Sequence, residues 1–257
     1  MITGRTVSAV RPSNFSKEEK CFMKFKNVLA MLLISLMLLT LCACKKGNDD
    51  PEPTTVPPTT NVGIDEGVVN QTAFLGDNLY ITDIGNYTGI YMEDGSDEYV
   101  SKVMMVVLKN EGENALQLAR IKLQYSDFTA EFEVTNLPAG ESVVLLEKNR
   151  REFTGGSYLN AKTENVVFFQ SVMSLQEDRV KLTGQNGSIV VENLTDETLG
   201  EIYIYYKNSA ADLFYGGITY RAKVDAGLKP GKETTVMTRH FYPKACTIID
   251  VQILPAE

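Results

Sequence analysis

The chain has 257 residues, 33 acidic against 25 basic, a formal net charge of −8, four cysteines, one histidine and no tryptophan. That balance argues against a nucleic-acid partner, which needs clustered Lys and Arg to neutralise phosphates, and the single His240 excludes any site built from two or more histidines. With 44% apolar and 23% charged residues the composition is that of a folded protein, long enough for one large domain or two of ordinary size.

Residues 1–22 are polar and mixed in charge and carry no signal of their own. They read as an extension upstream of a true start at Met23, or as a long leader. From Met23 the pattern changes. Lys24 and Lys26 precede a 14-residue apolar run from Val28 to Leu41, interrupted only by Ser35 and Thr40. A bilayer-spanning helix needs about 20 apolar residues, so this length suits a signal peptide over 23–43 better than an uncleaved anchor. The run ends in Leu41-Cys42-Ala43-Cys44. This tetrapeptide resembles the lipobox of bacterial lipoproteins, with a small residue directly before the last cysteine. The resemblance implies cleavage before Cys44 and a thioether-linked diacylglycerol on it, so the membrane is the first expected partner. Two acyl chains at ~0.8 kcal/mol per buried CH₂ tether a protein firmly, where one holds it only marginally.

Cleavage at that point removes Cys21 and Cys42, and lipid occupies Cys44. Cys246 is then the lone thiol, and no intramolecular disulfide is available. Six basic and two acidic residues precede Cys44, so the mature chain keeps 19 basic against 31 acidic, a net charge of −12. An anionic membrane surface repels such a domain, which leaves the lipid as its only expected membrane contact. Residues 44–70 follow as a linker, with four prolines interleaved among threonine pairs over 45–63. Such a segment cannot bury a core. Extended at ~3.1 Å per residue, those 19 residues reach about 60 Å.

Beyond Gln71 short β-branched runs alternate with Gly, Asn and Asp clusters, the pattern of an all-β sandwich or barrel. Strands are expected at Leu79–Ile84, Tyr99–Lys109, Leu116–Tyr125, Phe128–Thr135, Ser142–Glu147 and Asn165–Val172. A second series follows at Arg179–Thr183, Ser188–Glu192, Leu199–Tyr206, Ile218–Val224, Glu233–His240 and Cys246–Leu254. The two series repeat. At an offset of 83, Val107-Leu108-Lys109-Asn110 meets Val190-Val191-Glu192-Asn193, and Leu116 meets Leu199. At an offset of 91, Leu137-Pro138-Ala139-Gly140 meets Leu228-Lys229-Pro230-Gly231, which places eight extra residues of the second repeat within 208–217. Residues 71–174 and 175–257 are therefore read as two tandem sandwiches.

An Asn closing an apolar strand, then L-x(4)-I-x-[LY], then an L-P-x-G or L-x-P-G turn, is similar to the FxLYD-like and related immunoglobulin-like modules of bacterial lipoproteins. The family's own tetrapeptide is absent, with Ile204-Tyr205-Tyr206-Lys207 in its neighbourhood. The resemblance implies two immunoglobulin-like sandwiches and a non-catalytic role at the cell envelope, without naming a ligand.

The residues offer little catalytic chemistry. Zinc needs three or four ligands, and this chain brings one His and one free Cys. His240 and Cys246 flank a short turn, the one place for a Cys-dependent hydrolase, but Cys246 opens the apolar run Cys246-Thr247-Ile248-Ile249, where a packed thiol is expected. No G-x-S-x-G presents a serine. Acidic residues gather in turns, above all Glu93–Glu98, which reads as a solvated loop and lacks the ligand order of a calcium hand. No metal and no cofactor is expected. The best surface signal is aromatic. Period-2 alternation in Ile202-Tyr203-Ile204-Tyr205-Tyr206 sets Tyr203 and Tyr205 on the face opposite the isoleucines, and Arg221 and Lys223 on the next strand face likewise. These four residues are the candidate ligand-binding patch, since Tyr and Arg dominate binding hot spots; cross-strand pairing or cover for the other repeat is the competing reading of the tyrosines. The expected function is a lipid-anchored binding or scaffolding module outside the cytoplasmic membrane, with an envelope protein or glycan as partner. A structural accessory subunit of a membrane complex and an envelope hydrolase are the alternatives.

Overall fold

The computed structural model describes residues 72–255. The leader, Cys44 and the proline-rich linker lie outside the described residues. Thirteen strands and no helix form the described chain, which is all-β with sheets packed face to face. In chain order they are β1 Ala73–Gly76, β2 Leu79–Ile90, β3 Tyr99–Asn110, β4 Leu116–Gln124, β5 Thr129–Leu137, β6 Ser142–Leu146 and β7 Asn160–Phe168. Then come β8 Val180–Gln185, β9 Ser188–Asn193, β10 Ile202–Ala210, β11 Leu213–Val224, β12 Glu233–Met237 and β13 Cys246–Ile253.

All twelve expected strands are present, with shifted ends, and β1 is one that the pattern does not announce. β2 runs on beyond the expected Ile84 to Ile90, and the strand displaced furthest as a whole is β7, expected at Asn165–Val172 and found at Asn160–Phe168. The apolar run Val166-Val167-Phe168-Phe169 drew the expected window forward. The real strand starts in polar Asn160–Glu164 because it lies at the rim of its sheet, where Lys122 and Lys162 pair with Glu164.

One strand pattern occurs twice. Before residue 174, β2, β3 and β6 pair in that order, facing a sheet ordered β5-β4-β7; after it, β8, β9 and β12 pair, facing β11, β10 and β13. A buried asparagine closes the same hydrogen-bond network in each half, and both side chains are fully shielded from solvent. Asn110 Nδ2 donates to Asn114 O at 3.0 Å and Leu137 O at 3.4 Å, while its Oδ1 accepts from Gly112 N. Asn193 Nδ2 donates to Glu197 O at 2.8 Å and Leu228 O at 2.9 Å, and its Oδ1 accepts from Thr195 N. Backbone bonds complete the match, Gly140 N to Asn110 O and Gly231 N to Asn193 O.

The halves share a sheet. β6 pairs in parallel with the start of β11, Phe214 opposite Val143 and Tyr215 opposite Val144. This join fuses the strands into one seven-stranded sheet, β1-β2-β3-β6-β11-β10-β13. The small sheet β5-β4-β7 packs on one face of it around Leu108, Ile121, Phe132 and Leu145. The other small sheet packs on the opposite face of the far end, where Ile189 and Val191 meet Ile202 and Ile204. The boundary expected at 174–175 falls in the connection from β7 to β8, and the central sheet is built from both sides of it.

The eight extra residues of the second half make the join. β11 has twelve residues where its counterpart β5 has nine, it starts from a tight turn at Ala211-Asp212, both with positive φ, and the lengthened strand lays Phe214 and Tyr215 beside β6. Gly217 lets its backbone come this close: a Cβ there would lie 1.8 Å from Glu133 O.

Candidate functional site

β10 and β11 bring the four expected patch residues together. Tyr203 sits opposite Lys223 and Tyr205 opposite Arg221, and the hydrophobic alternation turns Ile202, Ile204 and Ala222 inward beneath them. The Arg221 guanidinium lies 5.1 Å from the centre of the Tyr203 ring and Lys223 Nζ 5.9 Å from it. Such cation–π contacts contribute about 0.5–1 kcal/mol at exposed positions. Tyr203 Oη donates to Glu201 at 2.6 Å, and Lys223 pairs with Glu201 and Asp225. The Lys223 ammonium and then the Tyr203 hydroxyl hold the Glu201 carboxyl below its usual range, and the Glu201 carboxylate pushes Tyr203 up. Arg221 has no anionic partner among the described residues, so its charge is the one this patch offers outward.

Tyr205 has different surroundings. It is half-buried, its ring packs against the core of the first half, and its hydroxyl reaches Gln252 at 3.4 Å. The two tyrosines share a face, and Tyr203 with Arg221 forms its accessible part.

The acidic loop 93–98 departs from its expected role. Glu93 is not solvated punctuation: its carboxylate accepts Leu146 N at 2.8 Å and Gly217 N at 2.7 Å, clasping β6 and β11 together. Burial pushes its pKa up to about 7. Facing it, Lys207 is fully buried and donates from Nζ to Thr135 O at 3.0 Å, Gly217 O at 3.1 Å and Ile218 O at 2.8 Å. Burial pushes its pKa down to about 7. Asp94 and Glu98 pair with Arg150, whose guanidinium lies 4.5 Å over the Tyr91 ring, and Asp97 faces His240 Nδ1 at 3.3 Å. The loop's carboxylates thus fasten protein to protein. No sequence signal singled out Glu93 or Lys207, since both look like ordinary surface charges until the second half docks.

Cys246 is a packed thiol. Its Sγ donates to His240 O at 3.2 Å, and burial pushes its pKa up to about 11. The His240 ring instead stacks on Tyr220 at 4.7 Å, so thiol and imidazole form no nucleophilic pair. Cys246→Ala should lose about 1–2 kcal/mol through the vacated space and the broken contacts. Chemical denaturation checks it, and native-state alkylation of Cys246 at pH 8 should be slow until the chain unfolds.

Among the described residues no group of three or more His, Cys, Asp or Glu is arranged to hold a metal ion, and no helix is long and apolar enough to cross a membrane. No protein-family model matches the chain, and neither a curated protein nor a solved structure does.

Proposed function

We propose that this protein is a lipid-anchored, extracytoplasmic binding module of the cell envelope, tethered through diacylglycerol on Cys44 and recognising an envelope protein or glycan through Tyr203, Arg221, Lys223 and the rim of Tyr205. The observation that carries the reading is the stack of Arg221 on Tyr203, a rigid aromatic beside a guanidinium with no anionic partner among the described residues, on the exposed face of a packed sheet. The lipid confines the search for a partner to two dimensions, and the linker sets the reach.

A photo-crosslinking residue at position 203 in the tagged full-length protein tests this in cells, with Cys44→Ala as the untethered control. One defined partner should crosslink, weaken at least tenfold with Arg221→Ala and vanish in the control. Labelling that ignores both substitutions would sink the proposal. The accessory-subunit alternative draws support from the shared sheet, which makes the two halves one stiff spacer. In that case Arg221→Ala leaves the phenotype intact and deletion of residues 175–257 abolishes it.

A further inference from the structure

The internal repeat holds a second copy of the socket that joins the two halves, and no strand among the described residues fills it. β5 and β6 of the first half correspond to β11 and β12 of the second, at an offset of 91 along β6 and β12. In the first half the gap between β5 and β6 is filled by the start of β11. In the second half the corresponding gap is an open groove of about 570 Å³, running along β12 between the end of β11 and the turn at 225–229.

The hydrogen-bond alternation shows which groups face each gap. Asn110 N donates to Glu141 O and Glu147 N to Met104 O, which turns the backbone groups of Ser142, Val144 and Leu146 away from β3. Val144 then meets Tyr215, and Leu146 N is taken by the Glu93 carboxylate. In the second half Asn193 N donates to Lys232 O and Thr238 N to Gly187 O, so Glu233, Thr235 and Met237 turn their N–H and C=O outward. Those groups have no partner among the described residues, and β12 ends its sheet. An open strand edge of this kind is a template for one more strand.

We infer that β12 is a strand-addition site that accepts an extended, carboxylate-bearing segment from a partner polypeptide, laid parallel to Glu233–Met237 as β11 lies along β6. The first half supplies the pattern of the occupant, the aromatic pair Phe214-Tyr215 ending in Gly216-Gly217, while the carboxylate that clasps it, Glu93, belongs to the socket's own half. Charge agrees. The groove is lined by Lys223, Lys229 and Lys232 against Asp225 and Glu233; Lys223 pairs with Asp225, and Lys229 and Lys232 have no ion-pair partner among the described residues, so the lining is net positive in a chain that is otherwise acidic. A second copy of this chain is disfavoured as the occupant because its own β11 is already held against β6 by Glu93 and Lys207. Main-chain bonds would give the affinity and alternate side chains the selectivity.

The probe is a fluorescein-labelled peptide with the sequence of residues 212–219, added to the full chain and read by fluorescence anisotropy. Saturable binding is expected. It should weaken at least tenfold with Thr235→Pro, which deletes an outward N–H and leaves the pairing with β9 intact. It should also weaken with Lys229→Ala/Lys232→Ala, and less so in 1 M salt. Thermal unfolding of Thr235→Pro should stay near that of the parent; if that variant does not fold, Met237→Pro removes the next outward N–H. Absence of saturable binding, or equal binding to the proline variant, would overturn the inference. A dimer in sedimentation that Thr235→Pro dissolves would overturn the choice of occupant.

Discussion

Lys207→Met should destabilise the protein by about 3–5 kcal/mol, the range for breaking one side of a buried charged network. The lysine is fully buried, and its ammonium satisfies three backbone carbonyls from two strands that belong to different halves, Thr135 O on β5 and Gly217 O and Ile218 O on β11. Methionine fills most of the volume and donates nothing, so Ile218 O loses the ammonium, Thr135 O and Gly217 O keep only threonine hydroxyl bonds, and the Glu93 carboxylate loses the charge that faces it. Each orphaned polar group costs about 1–3 kcal/mol when water cannot reach it. Urea denaturation gives the value directly. A loss under about 1 kcal/mol would mean that water enters the joint and replaces the ammonium. Glu93→Gln should be less than additive with Lys207→Met, because both side chains hold the backbone of Gly217, one at its N–H and the other at its C=O.

The reason this joint escaped the sequence is periodicity. Ile202, Ile204 and Tyr206 alternate inward, which assigns Lys207 to the face of Tyr203 and Tyr205 and hence to solvent. The assignment of face holds, but the first half packs against that face at Lys207 and partly at Tyr205, leaving Tyr203 clear. A parallel contact of two residue pairs between β6 and β11 leaves no local pattern, so neither Glu93 nor Lys207 carried a signal. The strands themselves were legible because β-branched runs and Gly-Asn-Asp turns are local properties. Likewise the position of the extra residues, 208–217, was legible by counting, though not their role as the bridge. β1 was missed because four residues ending in a positive-φ glycine are too short to show alternation.

The candidate patch was legible for the same local reason that the joint was not. Tyr203, Arg221 and Lys223 lie on neighbouring strands of one hairpin, so alternation alone brings them onto a common face. What the sequence could not supply was the surroundings: Glu201 neutralises Lys223 and anchors the Tyr203 hydroxyl, leaving Arg221 as the outward charge. The β12 groove needed more still. It emerges only when the two halves are compared strand by strand and one of two equivalent edges is found to be covered.

Asn110→Ala and Asn193→Ala should each cost about 2–4 kcal/mol, from several polar groups left unpaired at about 1–3 kcal/mol apiece, partly relieved by relaxation. In each network the amide donates to carbonyls on either side of the connection it spans, and its oxygen holds the turn that follows the strand. Alanine takes the side-chain donor from the buried Leu137 O and Leu228 O, the latter keeping its bond from Leu199 N, and frees the turn that the amide oxygen held. Asn→Asp is the sharper variant, because it keeps the acceptor, removes both N–H donors and places a charge at a site with no solvent exposure. Aspartate should therefore be at least as damaging as alanine, which separates a hydrogen-bonding role from simple volume. The two sites also report on coupling. The halves share the β6–β11 join, so loosening Asn193 should lower the unfolding midpoint of the whole described fold in a single transition. Two resolved transitions in Asn193→Ala, with the first half melting at its parental midpoint, would show that the shared sheet does not make the halves one cooperative unit.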